Sequence, residues 1–341
     1  MPFADILGQE KATSYLSRLV QTQKVPGALL FYGPDGVGKA TAALEWAKAL
    51  NCLDPQAHQK GDACGVCASC RALQQGTHPD VLLVDFAYQA QLEIKKDVSS
   101  KGYAEELEKE IAKQQHLNID TIRHITAKAQ QKSMNGGWKV IIIRDAQTML
   151  PAAANALLKF IEEPPAKTVW VLITNKRAAM LRTILSRCQP LAFAPLGQEH
   201  VRQILIQKHI DTSDPELAAR YSGGSVSGAC RADGALTLLR EAGLTENAPL
   251  GTGIALPSAA VAGLSRTLAT SRQEAQAVLD VFIMALHNAW TQQTDLRQQR
   301  RYQAALKQFE TYKRNISRNV SPALVLETAL MSVDQLHIPV L

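Results

Sequence analysis

Apolar residues along this chain follow two regimes. Up to about residue 195, short continuous apolar runs alternate with stretches at helical spacing; beyond it only helical spacing persists. Ile6, Ala12, Leu16, Leu19 and Val20 approximate one helical face within residues 1–24. Ala28 to Tyr32 is an apolar run of the kind that forms a buried strand, and Thr41 to Leu50 resumes as helix. Further strands are predicted at Asp80–Asp85, Lys139–Asp145, Thr168–Thr174 and, more briefly, Leu191–Phe193. Between them, helices are predicted over Ile119–Lys132 and along the stripe Leu150, Ala154, Leu157, Leu158 and Ile161, which Pro164-Pro165 stops. Residues 89–115 are polar and charged and read as an exposed insertion, part flexible and part helical. Strands alternating with helices imply a parallel sheet covered on both faces.

After Pro195 the fold class changes to all-α. Residues 198–240 suit a small helical unit, and 243–257, rich in Gly, Pro, Thr and Asn, suit a linker. From about 258 the helical pattern returns. Val278, Leu279, Phe282, Ile283, Leu286 and Trp290 form one face, and a second runs from Ala323 to Val333. The expected domains are 1–195, 196–242 and 258–341. A chain of 341 residues is long enough for two or three such cores.

Composition narrows this little. Hydrophobic content of 46% with 20% charged residues is ordinary for a soluble globular protein. No run of eighteen apolar residues is present, so no membrane span is expected. The N-terminus has neither a basic region nor an apolar signal core, so a cytoplasmic location is expected. A net charge of +6 fits weak attraction to nucleic acid and equally a mildly basic soluble protein.

The chemistry begins at Gly33-Pro34-Asp35-Gly36-Val37-Gly38-Lys39-Ala40-Thr41. Strand, G-x-x-x-x-G-K and helix in that order are what a phosphate loop requires. Gly33, Gly36 and Gly38 let backbone N–H groups turn toward a phosphate, and Lys39 reaches its outer oxygens. Ala40 stands where such loops carry the Ser or Thr that binds Mg²⁺, and Thr41 is one position too late to replace it. Asp145 ends a predicted strand, where a carboxylate could orient a Mg²⁺-bound water or cap the next turn. The following position, often a catalytic Glu, is Ala146. The loop is equipped to hold ATP or ADP and poorly equipped to hydrolyse ATP.

Four of the six cysteines cluster as Cys52-x11-Cys64-x2-Cys67-x2-Cys70. Four thiolates suit tetrahedral zinc, with His58 and His78 as substitutes for one Cys and an iron–sulfur cluster as the alternative. With no open coordination position implied, such a metal is structural. Ser186-Arg187-Cys188 supplies an Arg near the edge of the nucleotide fold. Such an Arg is either a surface residue or an arginine finger acting on a neighbour's phosphate.

Taken together, Ile6 to Gln9, the phosphate loop, the Cys cluster, Ile119 to Arg123, Asp145-Ala146-Gln147, Ala154 to Pro165 and Ser186-Arg187-Cys188 resemble the bacterial clamp-loader subunits of DNA polymerase III, a family of AAA+ proteins. The resemblance covers residues 1–230 well and is weaker beyond, where Arg318 to Pro322 resembles the end of a collar domain. It implies an AAA+ P-loop sheet, a helical lid and a C-terminal helical collar for oligomerisation. Three departures, Ala40, Ala146 and Ser227 in the lid motif Gly224 to Ala229, favour the delta-prime branch over the gamma/tau motor branch. That branch implies a hetero-pentamer with gamma/tau and delta subunits, and contact with the sliding clamp and primed-template DNA. Arg187 would then be catalytic in trans. The alternatives are a gamma/tau-type ATPase motor and a P-loop nucleotide kinase.

Overall fold

The computed structural model describes residues 3–94, 103–242, 258–269, 271–318 and 320–336. The predicted linker 243–257 lies outside the described residues, as does the 95–102 stretch of the predicted insertion. The chain divides into two compact units, Met1–Pro195 and Leu196–Leu341.

In the first unit, helix α1 (Glu10–Thr22) precedes strand β1 (Ala28–Tyr32), the glycine loop and α2 (Lys39–Leu50). The cysteine segment forms two short helices, α3 (Pro55–Lys60) and α4 (Ala68–Gln74), before β2 (Val81–Val84). Helices α5 (Phe86–Glu93), α6 (Tyr103–Lys113) and α7 (Ile119–Gln130) lead to β3 (Lys139–Ile143). The unit ends with α8 (Pro151–Glu162), β4 (Thr168–Thr174), the four-residue α9 (Arg182–Leu185) and β5 (Gln189–Ala192). All five strands pair in parallel in the order β2-β3-β4-β1-β5. The predicted strands are thus present, with β5 starting at Gln189 and ending one residue before Phe193.

The core follows strand alternation. Leu30, Ile141, Ile143, Trp170 and Leu172 point to one face and join Ile122, Ile125, Leu157, Ile161 and Ile184 of α7, α8 and α9 in one cluster. Leu29, Phe31, Val140, Ile142, Val169 and Val171 are equally buried. Helix α2 packs on the sheet and on α1, burying Trp46 completely. Buried runs without alternation in polarity are what a sheet covered on both faces demands. The expected exposed insertion is corrected in part. Gln89 and Ala90 of α5 are fully buried, and Gln89 accepts from the Asn118 N–H (2.9 Å) and the Thr121 hydroxyl (3.0 Å), tying α5 to the start of α7.

The second unit is helical: α10 (Gln198–Gln207), α11 (Pro215–Arg220), α12 (Val226–Glu241), α13 (Ser258–Leu268), α14 (Arg272–Gln292), α15 (Leu296–Ser317) and α16 (Pro322–Leu336). Its core joins Leu236 and Leu239 of α12 to Val278, Leu279, Phe282 and Leu286 of α14, Phe309 of α15 and Leu326 and Leu330 of α16. Among the described residues no helix is long and apolar enough to cross a membrane.

Candidate functional site

In a parallel sheet, ligands bind beyond the carboxyl ends of the strands, where the strand order reverses direction. Here that point is β1: the chain leaves it for β2 on one side and later returns to β5 on the other. The glycine loop occupies this place. Gly33, Gly36 and Gly38 all have positive φ (151°, 71° and 95°), and Gly38 caps α2. The loop therefore aims the first N–H groups of a 12-residue helix outward, the arrangement that attracts anions. A Cβ on Gly33 would fall 2.2 Å from the Phe193 carbonyl oxygen, so the chain after β5 presses on the loop. Gln9 braces the loop from behind. Its amide donates to the Val37 (3.2 Å) and Ala194 (2.8 Å) carbonyls and accepts from the Ala194 N–H (3.2 Å).

Lys39 is buried, and its ammonium donates to the carbonyls of Gly33 (2.8 Å) and Pro34. Burial lowers its pKa; Asp35 and Asp145 act against that, and Arg144 adds to it. Asp145 is thus electrostatically coupled to the loop although β4 separates β3 from β1. Asp145 sits in the left-handed region (φ 49°). Its backbone carbonyl, not its carboxylate, closes the next turn, accepting from the Thr148 N–H (2.8 Å) and hydroxyl (2.7 Å). The carboxylate accepts from Gln147 Nε2 (3.3 Å), and Gln147 Oε1 accepts from the hydroxyl of Thr174 (2.7 Å) at the end of β4. Gln147 lies in the short helical turn after β3 and Thr174 ends β4; neither one's local sequence announces the contact between them, and Thr174 is buried. Ala40 and Thr41 lie in the first turn of α2, and Ala40 brings no hydroxyl to the site. The residues present suit a nucleotide's phosphates: three glycines in conformations open to the backbone, and a buried ammonium.

The four cysteines come together as a second site. Their sulfurs all lie within 4.8 Å of one another. A tetrahedron with Zn–S bonds of ~2.3 Å has edges of ~3.8 Å, so the group fits zinc after small side-chain rotations. The local fold turns backbone donors toward three of the sulfurs. The N–H groups of Cys64, Cys67 and Cys70 point at the sulfurs of Cys52 (3.3 Å), Cys64 (3.4 Å) and Cys67 (3.4 Å), the last as the cap of α4. Burial raises the Cys52 and Cys70 thiols. Burial also acts upward on Cys67, but backbone N–H groups and neighbouring sulfurs outweigh it and bring that thiol down to about 7. His78 has both ring nitrogens engaged, with Ser69 Oγ (3.2 Å) and the Asp80 N–H (3.2 Å). His58 lies outside the four-sulfur group.

Arg187 stands elsewhere. It lies in the turn between α9 and β5, fixed by its own N–H to Ile184 O (3.1 Å) and by Cys188, which is buried in the sheet core and whose thiol burial pushes up to about 12. Its guanidinium is partly exposed. Nε donates to Glu162, while Nη1 donates to the Thr183 carbonyl (3.0 Å) and the Ser186 hydroxyl (3.3 Å). Because Leu29 pairs with Gln189 in parallel register, Arg187 lies at the amino edge of the sheet. The glycine loop lies at the carboxyl edge. The five residues of β1, ~17 Å of strand, separate them. The site residues thus form three groups: the loop with Asp145, the cysteines, and Arg187.

Residues 8–197 match the family described as DNA polymerase III, delta subunit. The DNA polymerase III subunit delta' of Pseudomonas aeruginosa is 35% identical over 202 residues, 58% of this chain and 53% of the relative. That of Escherichia coli is 33% identical over 199 residues, 58% of this chain and 52% of the relative. The tau/gamma subunit of Haemophilus influenzae is 30% identical over 230 residues, 66% of this chain and 29% of the relative. The chain spans about half the length of the delta' relatives it matches. A DNA polymerase III gamma subunit-related protein of Thermotoga maritima aligns at a TM-score of 0.49 and 17% identity, over 96% of this chain and 99% of that one. Matched by that family over more than half of its length, this chain belongs to the DNA polymerase III delta subunit family.

Proposed function

We propose that this chain works as a delta-prime-type subunit of a DNA polymerase III clamp loader, in a hetero-pentamer with gamma/tau and delta subunits that places the sliding clamp on primed-template DNA. In this reading it is a stator. It offers Arg187 to ATP bound by the adjacent motor subunit and turns over no nucleotide itself. The carrying observation is the position of Arg187. A guanidinium at the amino edge of the sheet, a strand length away, does not reach its own phosphate loop, which supports a role on a phosphate brought by another chain. Guanidinium groups so placed stabilise charge on the transferring phosphoryl and are worth ~10³–10⁵ in rate.

The loop supports the passive half of the reading. Lys39 and the glycines can hold ATP or ADP, while Ala40 and Ala146 omit the Mg²⁺ hydroxyl and the second acid. The cysteine group would hold one structural zinc through Cys52, Cys64, Cys67 and Cys70. Residues 196–242 would be the lid and 258–341 the collar through which the ring assembles. The rival reading, an ATPase motor, draws on the likeness to tau/gamma relatives and meets the same two alanines.

One experiment separates the readings. In a reconstituted loader with clamp and primed DNA, Arg187→Ala should slow hydrolysis at the adjoining site by orders of magnitude, while the purified chain alone releases no phosphate from ATP. An unchanged loader rate removes the finger role. Brisk turnover by the chain alone makes it a motor.

A further inference from the structure

The finger reading leaves open what holds the guanidinium in place, and the contacts around Arg187 answer that. A free Arg side chain samples many rotamers and loses that freedom when it engages a phosphate. Here two of the three guanidinium nitrogens are already committed. Glu162, the last residue of α8, accepts from Nε–H, and the Thr183 carbonyl and Ser186 hydroxyl accept from Nη1. Nη2 has no hydrogen bond among the described residues. The Arg187 and Glu162 side chains keep 37% and 44% of their surface exposed, so an exposed pair of this kind contributes little to folding.

We infer that Glu162 is a positioning residue: by accepting from Nε–H it fixes the Arg187 guanidinium and leaves Nη2 for an anionic oxygen of a neighbouring subunit's nucleotide. This rests on the finger reading and deepens it. Three features of the fold make Glu162 suited to the task. It lies at the end of α8, whose Ala154, Leu157 and Ile161 are buried in the sheet core, so its backbone is rigid. Pro164 and Pro165 follow after Glu163 and fix the exit of the chain. Its reach is to Nε, which leaves Nη2 without a hydrogen bond among the described residues. Glu163, one residue on, makes no contact with Arg187 among the described residues and offers a charge-matched control.

The test is a double-mutant cycle in the reconstituted loader, reading ATP hydrolysis with clamp and primed DNA. Glu162→Ala should lower kcat roughly ten- to thirty-fold, the factor that restoring Arg rotamer freedom costs, with KM for ATP unchanged. Glu162→Gln, which keeps an oxygen acceptor for Nε, should recover most of the rate. Glu163→Ala should match wild type. In an Arg187→Ala background, Glu162→Ala should have no further effect, because its action runs through the guanidinium. A wild-type rate for Glu162→Ala while Arg187→Ala is slow overturns the inference and spares the finger. An equal fractional loss from Glu162→Ala with and without Arg187 also overturns it, by showing an independent structural route. A wild-type rate for Arg187→Ala overturns the finger reading and this inference with it.

Discussion

At the scale of single residues, the site depends on positions where a side chain is missing as much as on those where one is present. Gly33 combines φ of 151° with the Phe193 carbonyl 2.2 Å from where a Cβ would stand, so no L side chain fits without moving backbone. Gly234, inside α12, has open space around its absent Cβ. The two should respond oppositely to alanine. Gly33→Ala should cost about 2 kcal/mol or more, lowering the first unit's thermal transition by roughly 4–8 °C. Gly234→Ala should be neutral or stabilising by up to about 1 kcal/mol. Melting followed by circular dichroism measures both. The glycine pattern and Lys39 are legible in sequence because a phosphate loop is a local device. The Asp145–Gln147–Thr174 chain is not, since Thr174 lies 27 residues beyond Gln147 and joins it only through strand pairing.

At the scale of elements, the strands were readable because a buried parallel strand must be continuously apolar, and β1, β3 and β4 are. Helices α7, α8 and α14 were readable from their apolar stripes. Helix α15 was expected only as part of the helical stretch from about residue 258, without a face of its own. Among its 22 residues only Ala305, Phe309 and Ile316 are buried, too sparse a stripe to stand out. Helices α3 and α4 were hidden for a different reason. The cysteine segment has almost no apolar core beyond the cysteines themselves with Ala57 and Ala63, and Leu53 and Val66 are exposed. Metal would supply the cohesion that packing does not. We expect about one zinc per chain by elemental analysis, lost in the Cys64→Ala/Cys67→Ala double variant, with new proteolytic cleavage within residues 53–68. Binding needs thiolates, so zinc should be released as pH falls below about 6, followed with a chromogenic chelator. In the metal-free chain the signs divide. Cys67, brought down from its ordinary 9.0 to about 7, adds stability that is full above pH 9 and is lost as pH falls through 7. Cys52 and Cys70, raised by burial, contribute below pH 9 and lose that contribution as pH rises.

At the scale of the whole molecule, the phosphate loop, Asp145, the cysteines and Arg187 all lie in the first unit, and that unit has its own sheet core. A fragment of residues 1–195 should therefore fold alone, retain zinc and bind nucleotide, yet fail to enter the loader if the helical unit carries the assembly surface. Circular dichroism, metal analysis and co-purification with the partner subunits check these in turn; capture of the fragment at full yield would remove the collar from that role. The class of fold, the phosphate loop and its two missing parts, the four-thiolate group and the family can all be read from the linear chain, because each is written in local spacing or in a contiguous motif. Tertiary structure alone decided which edge of the sheet each residue occupies. Arg187 and the loop are separated by strand pairing, and Arg187 meets Glu162 across 25 residues through the packing of α8 against α9 and the sheet. Such juxtapositions depend on strand order and helix packing, which bring distant positions together without leaving any periodicity along the chain.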